Sequence, residues 1–124
     1  MSLTVLVVDD SAVMRKIVSR TLRASGLTIS TLLEAASGEE ALTIIKGGTR
    51  PNLIVSDINM SGMSGIDFVR EARKTLSQRE TKVVMITTES GSDKVHAAMS
   101  AGANAYLTKP FTPDQVATAL QDLL

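Results

Sequence analysis

Cysteine is absent from the 124 residues, which excludes a disulfide framework and a thiolate metal site. Excess charge of one sign is absent too. Thirteen basic residues stand against 13 acidic ones, so net charge gives nucleic-acid binding no support. No apolar run approaches a membrane span, and Met1-Ser2-Leu3-Thr4 carries no basic segment leading into a long apolar one. The expectation is a cytoplasmic protein with neither a nucleic-acid nor a membrane partner. The one histidine, His96, has no second imidazole near it and reads as a surface or partner-contact residue. Repeats, low-complexity segments and linkers are missing, so a single domain over residues 1–124 is expected. A chain of this length can bury roughly two-thirds of its unfolded surface and needs no staple.

What is present is organised around Leu53-Ile54-Val55-Ser56-Asp57-Ile58-Asn59-Met60-Ser61. The apolar residues fit a strand buried on both faces, and an aspartate ends it. Taken alone, Asp57 would be a loop-starting turn residue, but the other apolar runs also end in polar chemistry. Val5-Leu6-Val7-Val8 ends in Asp9-Asp10, Val83-Val84-Met85-Ile86 in Thr87-Thr88, and Ala105-Tyr106-Leu107-Thr108 in Lys109-Pro110. Ile29 to Ala35 supplies a further strand without clean alternation.

Helical patterns fill the intervals. Asp10 or Ser11 can cap the first helix, in which Val13, Met14, Ile17, Val18 and Leu22 form an apolar stripe expected to face the core. Arg15, Lys16, Arg20 and Arg23 lie mostly off it, as a solvated face. Gly26 fits that helix's end. Ser37-Gly38-Glu39-Glu40 is a capping box. The third helix is expected from Gly65 to about Leu76, with Ile66, Val69, Ala72 and Leu76 inward and Phe68 within reach of the core. A fourth starts near Ser90-Gly91-Ser92-Asp93. Thr112-Pro113-Asp114-Gln115 opens the last, which buries Val116, Ala119, Leu120 and Leu123. Strands alternating with helices imply an α/β fold with a parallel sheet, helices on both faces and right-handed crossovers. With five strands the flavodoxin-like doubly wound order 2-1-3-4-5 is expected, and its switch point falls between strands one and three.

That order gathers Asp9, Asp10, Asp57, Thr87 and Lys109 on one rim. Three carboxylates and one ammonium leave the cluster two charges negative if all are ionised. Two carboxylates about 4 Å apart repel by ~4 kcal/mol near a protein surface. Either one acid stays protonated, or a divalent cation neutralises the group; oxygen ligands suit Mg²⁺. Mg²⁺ beside a carboxylate, a lysine and a hydroxyl also matches phosphoryl transfer, with a carboxylate as nucleophile. Asp57 is the preferred nucleophile, because the adjacent Asp9 and Asp10 suit metal holding.

Val7-Val8-Asp9-Asp10-Ser11, Ser56-Asp57-Ile58-Asn59-Met60, Ile86-Thr87-Thr88-Glu89 and Tyr106-Leu107-Thr108-Lys109-Pro110-Phe111-Thr112, in this order and at strand ends, resemble the receiver domain of bacterial response regulators. The resemblance runs from Val5 to the C-terminus and is strongest toward the single-domain chemotaxis regulators. It implies that Asp57 accepts a phosphoryl group from a histidine kinase, so that the chain is a phosphoprotein of a two-component system. It further implies that Asp9, Asp10, Asp57 and the main-chain carbonyl of Asn59 hold Mg²⁺. Lys109 would pair first with the carboxylate and then with the phosphoryl group, and Thr87 would hydrogen-bond a phosphoryl oxygen. Tyr106, otherwise an ordinary half-buried aromatic, would be a rotameric switch. Asn59 and Glu89 would tune dephosphorylation, and Lys109-Pro110 would be a cis peptide.

Two residues depart from the family pattern. Ser61 stands where proline is usual, so that loop is expected to be less rigid. Thr88 stands where a small residue is usual. Met60 and Met63 read as loop packing. On this resemblance the chain is not an enzyme on foreign substrates, although it would catalyse its own Mg²⁺-dependent phosphorylation and dephosphorylation. It would work as a monomer with no output domain attached, its partners being a chemotaxis-type sensor kinase, the flagellar motor switch protein and a phosphatase. The output surface would be the fourth helix, fifth strand and fifth helix. A phosphate-sink receiver would look much the same. An aspartyl-phosphate phosphohydrolase is disfavoured, since Asn59 occupies the place of its second aspartate. A flavodoxin-like cofactor binder is disfavoured because Asp9-Asp10 replaces a glycine-rich phosphate loop.

Overall fold

The computed structural model describes residues 2–88, 93–121, 123 and 124. Strands β1 (Leu3–Val8), β2 (Ile29–Ala35), β3 (Leu53–Asp57), β4 (Lys82–Thr87) and β5 (Ala105–Thr108) alternate with helices α1 (Ala12–Ala24), α2 (Gly38–Lys46), α3 (Gly65–Ala72), α4 (Asp93–Ala101) and α5 (Pro113–Gln121). The sheet is parallel with order β2-β1-β3-β4-β5, the expected flavodoxin-like arrangement. Val7 of β1 pairs with Val55 of β3, and Thr87 of β4 with Thr108 of β5. This register brings Asp9, Asp57, Thr87 and Lys109 to the carboxyl edge, where open α/β sheets carry their sites.

Alternation along the buried strands divides the core in two. Leu6, Val8, Ile54 and Met85 pack under α2, α3 and α4, with Phe68 fully buried among them. Val5, Val7, Val55, Val84 and Ile86 pack on the other face against Val18 and Leu22 of α1 and Val116 and Leu120 of α5. Each such side chain contributes about 1.5–3 kcal/mol on burial. Met60 and Met63 pack against the first of these cores, as loop packing predicts.

The caps explain the helix starts. Ser11 accepts from the Met14 N–H at 3.2 Å, and Ser37 from the Glu40 N–H at 3.0 Å. At α5 the box is reciprocal: Thr112 Oγ1 accepts from the Gln115 N–H at 3.2 Å, and Gln115 Oε1 from the Thr112 N–H at 2.9 Å. Gly26, at φ +94°, follows the Ser25 C-cap of α1.

Three expectations need correction. The α1 stripe is not wholly inward: Val18 and Leu22 are buried, whereas Val13 is 67% and Ile17 46% exposed. Helical spacing marks an apolar face but does not say what covers it. Arg15 is not solvated; its side chain is 17% exposed and bridges Glu34 at 3.0 Å. Helix α3 stops at Ala72 rather than near Leu76, with Arg73 as C-cap, and Leu76 is buried beyond it. Beyond Ala72 the backbone tightens, the Lys74 and Thr75 N–H groups donating three residues back to the carbonyls of Glu71 (3.2 Å) and Ala72 (3.1 Å), and Arg73 anchors the turn that follows. Its guanidinium donates to the carbonyls of Gly102 (2.9 Å), Ser77 (3.0 Å) and Thr81 (2.8 Å) and to Asn104 Oδ1 (2.9 Å). Those acceptors draw the chain after α3 around one cation. The proposed start of α4 at Ser90, Gly91 and Ser92 lies outside the described residues.

Gly65 opens α3 against the site strand. Its N–H donates to the Ile58 carbonyl at 2.8 Å, and a Cβ there would overlap the carbonyl oxygen of Asp57. Gly65→Ala should therefore push α3 from β3 and destabilise the fold by about 1–3 kcal/mol. The check is a lower urea midpoint at unchanged slope.

Candidate functional site

Five polar residues are buried in the described structure: Asp9, Ser56, Asp57, Thr81 and Thr87. Ser56 and Thr81 bond neighbouring carbonyls, those of Asp57 at 3.0 Å and Pro51 at 2.6 Å, and so serve the backbone. The other three meet at the carboxyl edge. One carboxylate oxygen from each of Asp9, Asp10 and Asp57 lies within 4.8 Å of the others. Lys109 Nζ stands 3.4 Å from Asp57 Oδ2 and 3.9 Å from Asp9 Oδ2. The Lys109–Pro110 peptide is cis, and the Lys109 N–H donates to the Thr87 carbonyl at 2.7 Å, which ties the lysine's backbone to the end of β4.

The three acids are held differently. Asp9 Oδ1 accepts from the Ser11 N–H at 2.9 Å, and the Asp9 carbonyl accepts from Arg15 at 2.7 Å. Asp9 Oδ2 is buried and has no hydrogen-bond partner. Burial pushes the Asp9 carboxyl above the usual carboxylate range, opposed by the Ser11 N–H and reinforced by the charge of Asp57. Asp10 is exposed, and its Oδ2 accepts from both the N–H (2.9 Å) and the hydroxyl (3.1 Å) of Ser61. The Ser61 N–H is the main reason its carboxyl lies below the usual range. Asp57 Oδ1 accepts from the Asn59 N–H at 3.3 Å.

A buried anionic oxygen without a donor, beside two more carboxylates and one ammonium 3.9 Å away, fits a hard divalent cation with oxygen ligands. Asp9, Asp10 and Asp57 can supply those oxygens. At the rim, Asn59 Oδ1 accepts from Lys94 Nζ of α4 at 2.8 Å. Tyr106 is 40% exposed on β5, two residues before the Thr108 that pairs with Thr87. Thr88 is exposed, and Glu89 lies outside the described residues. An apolar groove of about 430 Å³ adjoins the cluster, with Met14, Ile17 and Thr21 on one wall and Thr88, Pro110 and Phe111 on the other; Lys109 lies at its edge.

Sequence reasoning missed Ser61 as a partner of Asp10, Lys94 as a partner of Asn59, and Arg15 as the anchor of the Asp9 carbonyl. Only Ser61 left a signal, as a departure from the family's proline.

The family profile described as "Response regulator receiver domain" matches residues 5–121. The chain is 40% identical over 119 residues to chemotaxis protein CheY1 of Helicobacter pylori, covering 96% of this chain and 94% of that protein. It is 37% identical over 119 residues to the chemotaxis protein CheY homolog of Campylobacter jejuni, covering 96% and 90%. The solved structure of Vibrio cholerae chemotaxis protein CheY4 superposes with a TM-score of 0.85 at 36% identity, covering all of both chains. The chain belongs to the response regulator receiver family, of the CheY type. Among the described residues no helix is long and apolar enough to cross a membrane.

The electrostatics predict a pH response. Folded Asp9 keeps its proton to higher pH than the unfolded chain does. Its contribution to metal-free stability is therefore lost as pH rises from the ordinary aspartate range through its own raised value. Asp9→Asn removes that buried anion, so the metal-free variant should be more stable at neutral pH by about 1 kcal/mol or more. Added Mg²⁺ should raise the denaturation midpoint of the parent and leave that of Asp9→Asn unchanged.

Proposed function

We propose that this receiver domain, one unit over residues 1–124, accepts a phosphoryl group on Asp57 from a chemotaxis-type sensor histidine kinase and signals by phosphorylation-dependent binding to the flagellar motor switch. The observation that carries this reading is the convergence of Asp57 with the acidic pair Asp9 and Asp10 and with Lys109, whose Nζ stands 3.4 Å from Asp57. The family supports two-component signalling, and relatives named as chemotaxis proteins support a role in chemotaxis. The protein acts in the cytoplasm as a monomer. It turns over no foreign substrate, only its own phosphoryl group.

Asp9, Asp10, Asp57 and the Asn59 carbonyl would hold Mg²⁺, which would supply neutralisation of the negative charge that gathers on the transferring phosphoryl oxygens. The chain does the rest. An Asp57 carboxylate oxygen forms the new bond to phosphorus as the phosphorus–nitrogen bond to the donor imidazole breaks, and the imidazole leaves with the electron pair. Lys109, paired with the carboxylate beforehand, follows the charge onto the phosphoryl group. The groove between α1 and the Pro110–Phe111 turn gives the donor an apolar seat beside the nucleophile. Asn59, at the rim, and Glu89 govern how fast water, or a phosphatase partner, removes the group.

The switch uses Thr87 and Tyr106. The phosphoryl group draws the Thr87 hydroxyl into a charge-assisted hydrogen bond and so opens space beside β4. The Tyr106 ring, exposed by two-fifths, then turns inward and alters the face of α4, β5 and α5. Met99, at 38% exposure, and His96 belong to that face. Both states pre-exist, and phosphorylation shifts their balance by its differential contacts alone.

Acetyl phosphate with Mg²⁺ should give one acid-stable, alkali-labile adduct that maps to Asp57. Robust labelling of Asp57→Asn would show that the acceptor lies elsewhere. Thr87→Ala should still be phosphorylated at Asp57 yet lose capture of motor switch protein by about tenfold or more, an equilibrium shift of ~1.4 kcal/mol. With no tryptophan in the chain, NMR is the probe. Beryllofluoride should perturb Tyr106 and α4 in the parent and leave them largely still in Thr87→Ala; equal perturbation in both would sink the coupling.

A further inference from the structure

We propose that Ser61 is a positioning residue for the cation: it holds the Asp10 carboxylate at the mouth of the site with one oxygen engaged and the other left for the ion. The proposal rests on the metal-binding reading above.

Asp9 and Asp57 are buried, so packing fixes them, whereas Asp10 is exposed and has no such restraint. Among three mutually repelling anions, the outermost is the one free to swing toward water. Two donors oppose that swing, the Ser61 N–H at 2.9 Å and the Ser61 hydroxyl at 3.1 Å, and both aim at Asp10 Oδ2. A carboxylate offers about four acceptor positions over its two oxygens, so Oδ1 keeps its capacity. The tie also crosses 51 positions of sequence, from the end of β1 to the segment after β3. It thus holds Asp10 and the Asn59–Ser61 segment in one arrangement before the ion arrives.

The receiver pattern usually has proline here, which has neither an N–H nor a hydroxyl and stiffens the loop through its ring. In this chain the restraint runs through Asp10 itself, so loop order and ligand order are one property. Losing the hydroxyl leaves Asp10 freer, and binding must then immobilise it. That costs about three- to tenfold in affinity for one freed side chain.

Mg²⁺ titration of the unphosphorylated full chain, by calorimetry and by NMR, tests this. Ser61→Ala should raise the Mg²⁺ Kd about three- to tenfold and show rotamer averaging in the Asp10 side-chain couplings without Mg²⁺. Ser61→Thr, which keeps both donors, should restore both readouts. Unchanged or tighter binding in Ser61→Ala, or an Asp10 side chain just as ordered, overturns the proposal. Ser61→Gly, measured in parallel, serves if the alanine variant disturbs the loop, and the same outcomes decide. Asp10→Ala separates the two levels: if it binds Mg²⁺ like the parent, the metal reading itself fails, whatever Ser61 does.

Discussion

Three carboxylates share one ammonium at the switch point of the sheet, and most of what surrounds them follows from that imbalance. Asp9 Oδ2 is buried without a hydrogen-bond donor, and the nearest cation, Lys109 Nζ, stands 3.9 Å away. A buried acceptor left unsatisfied costs about 1–3 kcal/mol, and more when charged. The metal-free protein bears this strain locally. It pins the Asp9 backbone with Arg15, gives Asp9 Oδ1 the Ser11 N–H, and ties Asp10 in place through Ser61. A site arranged this way is destabilised until positive charge arrives, which makes cation binding favourable without a deep cavity.

The fold supplies the stiffness this needs. The register Val5 to Leu53 through Val8 to Ser56 fixes Asp9 relative to Asp57, because both follow directly from hydrogen-bonded strand ends. Gly65 lets α3 start in contact with the Asp57 backbone, a closeness no Cβ would allow. The Lys109 N–H on the Thr87 carbonyl sets the lysine's origin. Asp57 and its charged neighbours are thus placed by backbone geometry more than by side-chain choice.

That division explains what could be read in the sequence. Strand ends carry a strong local signal, an apolar run meeting a polar residue. The rim of Asp9, Asp10, Asp57, Thr87 and Lys109 was therefore legible together with the sheet order. Caps at Ser11, Ser37 and Thr112 were legible for the same local reason. Contacts between residues far apart in sequence were not. Nothing near Arg15 announces that it reaches the Asp9 carbonyl and Glu34, and nothing near Arg73 announces Gly102, Thr81 and Asn104. The exposure of Val13 and Ile17 was hidden in the opposite way: a correct helical stripe is wider than the core beneath it.

The rim ties differ in kind from the strand-end placements. Lys94 to Asn59 and Ser61 to Asp10 are hydrogen bonds between exposed groups on separate segments. A typical hydrogen bond contributes about 0.5–1.5 kcal/mol net, far less than moving a buried strand end would cost. A change of charge at the centre can therefore rearrange the rim without disturbing the sheet. Because Lys94 belongs to α4, that rearrangement would reach the helix on which Met99 is exposed. A rigid acidic centre with a loosely tied rim is what the proposed switch requires: one small anionic group would change the surface while the fold that holds it stays still.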